Sequence, residues 1–206
     1  MNGSVPRVAH LAVYDTVADW EYGHLVVELN TGRFTGVPYQ VRTVAESPGP
    51  VTTMGGLRLL PDLELADVSP ADSALLILPG SAFWDSGGGA PFVAKAAEFL
   101  QAGVPVAAIC GATAGLARAG LLDARRHTSA APEYLAATGY RGAAGYVDQP
   151  AVADRGLVTA GPQAPVQFAA ATLGMLGLAS AEHLDAYVGV FHCADPAAFG
   201  ALTAAA

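Results

Sequence analysis

Apolar positions along this chain come in short continuous runs that alternate with stretches of helical spacing. Residues 8–14 (VAHLAVY) predict a first strand, followed by a loop and a helix over residues 21–29. Residues 39–45 (YQVRTVA) alternate apolar and polar positions as a half-buried strand does. Residues 51–60 hold two short extended runs around Gly55-Gly56, which predicts a hairpin. Residues 74–78 (ALLIL) are continuously apolar and end in Pro79-Gly80, the pattern of a central parallel strand covered on both faces. A helix is expected over residues 91–102, with proline in its first turn and Gly103 as its stop. Residues 104–109 (VPVAAI) predict the next buried strand and residues 112–119 the next helix.

Further along, the pattern predicts a helix near residues 132–138 and extended pieces at 146–149 and 157–160. An Asp154-Arg155-Gly156 turn precedes the second piece. Two apolar helices, about 166–178 and 182–190, close the pattern ahead of an Ala-rich tail. Strands alternating with helices imply an α/β fold, a three-layer α/β/α sandwich around a mostly parallel central sheet. With 206 residues and neither internal repeat nor linker, one domain spanning 1–206 is expected.

Composition narrows the function classes. The chain is 52% hydrophobic and only 14% charged, so it buries a sizeable core and is not a disordered segment. Its net charge of −8 repels phosphate backbones and anionic lipid, which argues against nucleic-acid and membrane partners. The uncharged stretches 99–117 and 157–181 are interrupted by Gly103, Pro105, Gly111 and Gly115, and by Gly161, Pro162 and Pro165. They read as packed core rather than membrane spans. The N-terminal residues show no secretory leader, and two cysteines do not make a disulfide framework, so a cytoplasmic protein with free thiols is expected.

Ligands of open parallel sheets sit outside the carboxyl ends of the strands. Three predicted strands end in suggestive residues: the first in Asp19-Trp20-Glu21, the ALLIL strand in Pro79-Gly80-Ser81 with Trp84 beyond, and the VPVAAI strand in Cys110-Gly111-Ala112. A nucleophile between a buried strand and a helix sits on a sharp turn that pushes its side chain outward. Gly111, Ala112 and Gly115 keep that turn uncrowded. The helix N-terminus brings unpaired amides and partial positive charge to the sulfur, which is expected to lower the thiol pKa. Amides at Gly80, Ser81 and Gly111 are placed to hold a developing oxyanion. Trp20 and Trp84 are candidate pocket walls, and His24, one helical turn after Glu21, is placed to reach the same pocket.

The segment LLILPGS…VPVAAICGATAGLARAGLLDARRHTS resembles the DJ-1/PfpI (ThiJ) superfamily, a branch of the class I glutamine amidotransferase-like, flavodoxin-like fold. The acidic residue after the first strand, the strand ending in Pro-Gly, the AIC-Gly-Ala elbow and the late VTAGP segment arrive in family order. The elbow is the most specific of these. The resemblance implies that Cys110 is the nucleophile and Glu21 its carboxylic acid partner, with Asp19 as the neighbouring alternative, and that Gly80 and Gly111 line the oxyanion hole. It also implies a homodimer. A protonated Glu21 beside sulfur favours the thiolate, and its own pKa is expected to rise.

One departure stands out. Many hydrolytic relatives carry a histidine at the position occupied here by Ala130, whereas His127 lies three residues earlier. His127 is therefore a candidate catalytic residue only if the segment turns. A thiolate without a histidine suits attack on reactive electrophiles better than amide hydrolysis, which needs a proton donor for the leaving nitrogen.

The expected activity is addition of Cys110 to a small electrophilic carbonyl or acyl substrate, glyoxalase-like or hydrolase-like, without cofactor or metal. The alternative is a non-catalytic redox sensor or stress-response protein that uses an oxidisable Cys110. A glutaminase role is disfavoured by Ala130, and isocyanide hydration by the lack of a hydroxyl next to the cysteine. His192, Cys193 and Asp195 are metal-ligand types without a second cluster, and Gly87-Gly88-Gly89 lacks phosphate-loop spacing.

Overall fold

Eight residues in two runs, LLIL and VAAI, are completely buried in a computed structural model that describes residues 7–204. The first six residues, which carry part of the leader reading, and the last two of the Ala-rich tail lie outside it. The two runs are adjacent parallel strands, β6 (Leu75–Leu78) and β7 (Val106–Ile109), with Leu76, Ile77 and Leu78 opposite Val106, Ala107 and Ala108. Their side chains alternate between two cores. Leu75, Ile77, Ala107 and Ile109 face one, and Leu76, Leu78, Val106 and Ala108 face the other. A strand with helices on both faces needs apolar residues at every position, so the runs are continuous rather than alternating.

The remaining strands are β1 (Val8–Ala12), β2 (Gln40–Ala45), β5 (Leu63–Glu64), β8 (Ala151–Asp154) and β9 (Leu157–Ala160). They complete a seven-stranded sheet of order β5-β2-β1-β6-β7-β9-β8, parallel except for the edge strand β8. A separate hairpin pairs β3 (Val51–Thr52) with β4 (Arg58–Leu59) around Gly55-Gly56, as expected. One core is covered by α1 (Asp19–Thr31), α6 (Pro165–Met175) and α7 (Ala181–Phe191). The other is covered by α2 (Ala82–Asp85), α3 (Ala90–Gln101), α4 (Gly111–Arg118) and α5 (Pro132–Ala136). A last helix, α8 (Ala198–Ala204), packs on α7. The three-layer α/β/α sandwich is the fold expected from the pattern.

Four details differ from expectation. The extended piece expected at residues 146–149 is not a strand: Tyr146 makes one isolated bridge to His127, and the partner of β9 is β8, five residues later. Strand β5 is two residues long, helix α2 four, and the Ala-rich tail is helical. Among the described residues, no helix is long and apolar enough to cross a membrane.

The strand order sets the site. From β1 the chain moves outward to β2 and β5, then returns to the other side of β1 as β6 and continues to β7. The sheet therefore switches direction between β1 and β6, and side chains at the carboxyl ends of β1, β6 and β7 converge on that crevice.

Candidate active site

Cys110 follows Ile109 directly and is the N-cap of α4, with φ 58° and ψ −127°. A side chain rarely adopts that region, and holding it there costs on the order of 1–3 kcal/mol. Fixed backbone partners stabilise it. Cys110 N–H donates to Ala160 O at 3.0 Å, and Cys110 O accepts from Thr113 N–H at 3.1 Å and from the Thr113 hydroxyl at 2.6 Å. Ser129 Oγ in turn sits 2.6 Å from Thr113 Oγ1, both residues being buried. Cys110 as a residue is partly exposed.

Glu21, in the first turn of α1, is completely buried and accepts the Gly80 N–H on Oε2 at 2.5 Å. Its other oxygen, Oε1, is buried with no partner in hydrogen-bond geometry. Carboxyl and thiol lie against the same side of Gly80. A Cβ added there would meet Cys110 Cβ at 2.7 Å, Glu21 Oε2 at 2.7 Å and Cys110 Sγ at 2.9 Å. Gly111 is confined similarly, its Cβ position lying 3.0 Å from Trp84 Cβ and 3.2 Å from Ser81 O. Glycine is needed at both positions for close approach.

Burial raises the Glu21 carboxyl to about 7, opposed by the hydrogen bonds from Gly80 and Cys110. Burial also pushes the Cys110 thiol up to about 12, helped by the negative charge of Glu21 and its hydrogen bond, while the Gly111 amide pulls the other way. This corrects the expectation of a thiol lowered outright by the helix N-terminus: desolvation and the adjacent carboxylate outweigh it. The pair loses a first proton near neutrality and a second only at high pH. When the remaining proton sits on the carboxyl, the charge opposing the thiolate is gone.

The other predicted residues take varied places. Trp84 is not an open wall but is fully buried, with Nε1–H 3.0 Å from Pro79 O and 3.1 Å from Tyr14 Oη. The Tyr14 hydroxyl also donates to Pro79 O. The Gly80 amide is engaged by Glu21, so of the three predicted oxyanion donors it is not free. The Ser81 hydroxyl donates to Asp15 O at 2.8 Å and caps α2, and the Ser81 amide has no partner among the described residues. Asp19 turns to the hairpin instead of the thiol, accepting Gly55 N–H at 2.6 Å. Against a burial that raises it, hydrogen bonds from Thr53 and Gly55 hold its pKa below the ordinary range.

Trp20 is half exposed, its indole N–H 3.3 Å from Pro162 O, beside Met54 and Leu57 rather than Cys110. His24 faces α7, with Nδ1 3.1 Å from Tyr187 Oη. His127 is fully buried with both ring nitrogens engaged, Nδ1 by Arg125 O at 2.8 Å and Nε2 by Tyr140 Oη at 3.1 Å. His127 has no free nitrogen for the thiol, and the one bonded nitrogen of His24 is directed at α7. Ala130 itself is exposed.

Two residues that sequence reasoning missed join across α4. Tyr134 of α5 donates its hydroxyl proton to Asp85 Oδ1 of α2 at 2.6 Å. The only signal was an aromatic in a Pro-Glu-Tyr-Leu helix start just past Ala130. Among the described residues, no group of three or more His, Cys, Asp or Glu is placed to hold a metal ion.

The model of the DJ-1/PfpI family matches residues 7–175, a span that includes Glu21, Gly80 and Cys110. The chain belongs to the DJ-1/PfpI family. An uncharacterized protease of Bacillus subtilis (strain 168), YoaZ, is 38% identical over 186 residues, covering 88% of this chain and 89% of that protein. The crystal structure of a thiJ/pfpI family protein from Bacillus anthracis is similar with a TM-score of 0.90 at 38% identity, covering 99% of both chains. That of the DJ-1 superfamily protein Atu0886 from Agrobacterium tumefaciens is similar with a TM-score of 0.80 at 34% identity, covering 89% of this chain and 98% of that one. The DJ-1/PfpI fold therefore extends through α7 and α8, beyond the residues matched by the family model.

Proposed function

We propose that this DJ-1/PfpI protein is an enzyme whose Cys110 attacks small electrophilic carbonyl or acyl substrates. The observation that carries the reading is the buried Glu21 carboxyl, near its midpoint at neutral pH, against the sulfur at the strained elbow. The thiol proton passes to the Glu21 carboxylate as the sulfur–carbon bond forms. The carbonyl electron pair moves onto oxygen, where the amides of Ser81 and Gly111 are the donors at hand. With an aldehyde, the oxyanion takes the proton back from Glu21 and a hemithioacetal results. With an ester, the leaving alcohol takes that proton, and water later hydrolyses the thioester.

The word protease in the relative's name fits this site less well. Expelling an amine requires a strong proton donor at the leaving nitrogen, and His127 is engaged on both nitrogens.

Steady-state turnover of small dicarbonyls, esters and amides tests the proposal, with Cys110→Ala as control and mass spectrometry to trap the adduct. Turnover of a dicarbonyl or ester that vanishes in the variant is the expected result. No turnover of any substrate, with peroxide still consuming the thiol, would replace this reading by that of a redox sensor.

A further inference from the structure

The peptide that joins Cys110 to Gly111 carries the elbow carbonyl at one end and a proposed oxyanion donor at the other. The group is planar, so its C=O and N–H point in opposite directions, and whatever holds one end aims the other. Thr113 holds the carbonyl end twice, donating its N–H at 3.1 Å and its hydroxyl at 2.6 Å. A threonine hydroxyl has one proton to give. Because that proton goes to the Cys110 carbonyl, the 2.6 Å contact between Thr113 Oγ1 and Ser129 Oγ has Ser129 as its donor. Both residues are buried. Ser129 is fixed in turn through its neighbour Thr128, which donates its N–H to Thr159 Oγ1 on β9 at 2.9 Å and its hydroxyl to Gln149 O at 2.8 Å. The Cys110 N–H is bonded to Ala160 O of the same strand, so β9 anchors the elbow from both sides.

The backbone of Cys110 favours the opposite orientation of this peptide. At φ 58° and ψ −127° the residue lies in a region that side chains rarely adopt. Turning the peptide over by about 180° leaves φ unchanged and takes ψ to roughly 50°, the left-handed helical well, which is an allowed one. Glycine at position 111 absorbs the matching change in its own φ. Turned over, the peptide presents its carbonyl to the pocket in place of its N–H. We infer that Thr113 and Ser129 are positioning residues that lock the peptide against this flip and so keep the Gly111 N–H aimed at the oxyanion formed on a substrate of Cys110. The oxyanion role rests on the reading of Cys110 as a nucleophile toward carbonyl and acyl groups; the lock stands on the hydrogen bonds and backbone angles alone.

Crystal structures and steady-state turnover of 4-nitrophenyl acetate, taken for the wild type, Thr113→Val, Thr113→Ser and Ser129→Ala, test both parts. Thr113→Val keeps the shape of the side chain and removes the hydroxyl, and Ser129→Ala removes only the second hydroxyl. In Thr113→Val the peptide is expected flipped, or present in both orientations. Its kcat should fall at least about tenfold with KM within about twofold, since one oxyanion donor contributes about 10²–10³ to kcat. Ser129→Ala should move both readouts in the same direction and by less. Thr113→Ser, which retains the hydroxyl, should recover the wild-type peptide and most of the activity. An unflipped peptide in both Thr113→Val and Ser129→Ala would overturn the lock. A flipped peptide with unaltered kcat would overturn the oxyanion role of the Gly111 amide. Absence of turnover in the wild type would overturn the proposed function and the oxyanion role with it, while the peptide orientation in the variants would still decide the lock.

Discussion

The Glu21 carboxylate and the Trp84 indole hold opposite ends of one peptide group. The amide linking Pro79 to Gly80 is planar, so its N–H and C=O point in opposite directions. The N–H donates to Glu21 Oε2 at 2.5 Å and the C=O accepts from Trp84 Nε1 at 3.0 Å. The carboxyl beside the thiol is thus tied, through one peptide, to an aromatic cluster of Tyr14, Phe83, Trp84 and Phe92 in the core beneath.

Trp84→Phe removes the indole donor while keeping much of the ring volume. It should destabilise the protein by about 1–2 kcal/mol through the lost indole hydrogen bond and lost packing, the Pro79 carbonyl keeping the Tyr14 hydroxyl as its donor. Cys110 alkylation should slow as the Gly80 amide loosens. Urea denaturation and labelling kinetics on the same sample check both.

Gly80→Ala places a methyl group between carboxyl and sulfur, against backbone-anchored atoms. Overpacking of this kind costs about 1–3 kcal/mol. The larger effect should fall on chemistry, since the added carbon separates Glu21 from Cys110. Turnover should fall by more than about tenfold, a barrier change near 1.4 kcal/mol, while the circular dichroism spectrum stays that of the wild type.

The positive φ at Cys110 makes a prediction with an unusual sign. Cys110→Gly relieves the backbone strain that Cys110→Ala retains, so the glycine variant should be more stable than the alanine variant by about 1–3 kcal/mol. Denaturation midpoints of the two variants decide it.

Burial of Glu21 also sets a pH dependence of stability. Its carboxyl is raised from 4.5 to about 7, so across that window the folded chain holds a proton that the unfolded chain has released. Stability from this group is present at the acid end and is lost as pH rises through about 7, a change of roughly 3 kcal/mol. In Glu21→Gln that slope should disappear, as seen in denaturation curves taken across the window.

Much of this architecture was legible in the chain because the central strands carry their environment in their composition. LLIL and VAAI are apolar at every position, and the residues that follow them, Pro79-Gly80 and Cys110-Gly111, mark the sharp exits. Strand β5 and helix α2 were not legible, since two to four residues cannot show a period. The tail helix α8 was hidden by its run of alanines, which reads as low complexity. In the site, Cys110 follows from its place between a buried strand and a helix, whereas Glu21, with Asp19 beside it, was implied by the resemblance to the family.

The histidines were misplaced for a different reason. His24 lies one turn from Glu21, yet its nearest polar partner is Tyr187 on another helix, which local spacing does not reveal. His127 is drawn into contacts with Tyr140 and Tyr146 by a loop path set by tertiary packing. The Tyr134–Asp85 contact joins two short helices far apart in sequence, and no motif announces it.

The most direct test of the shared proton between Glu21 and Cys110 is the pH dependence of Cys110 alkylation by iodoacetamide, measured in Cys193→Ser backgrounds with and without Glu21→Gln. In the wild-type site the rate should rise through about 7, where the pair loses its first proton. In the Glu21→Gln site that rise should vanish, leaving a single rise above the ordinary thiol pKa of about 8.5, because burial then acts on the thiol alone. Superimposable profiles in the two proteins would contradict the account, showing that Glu21 and Cys110 titrate independently.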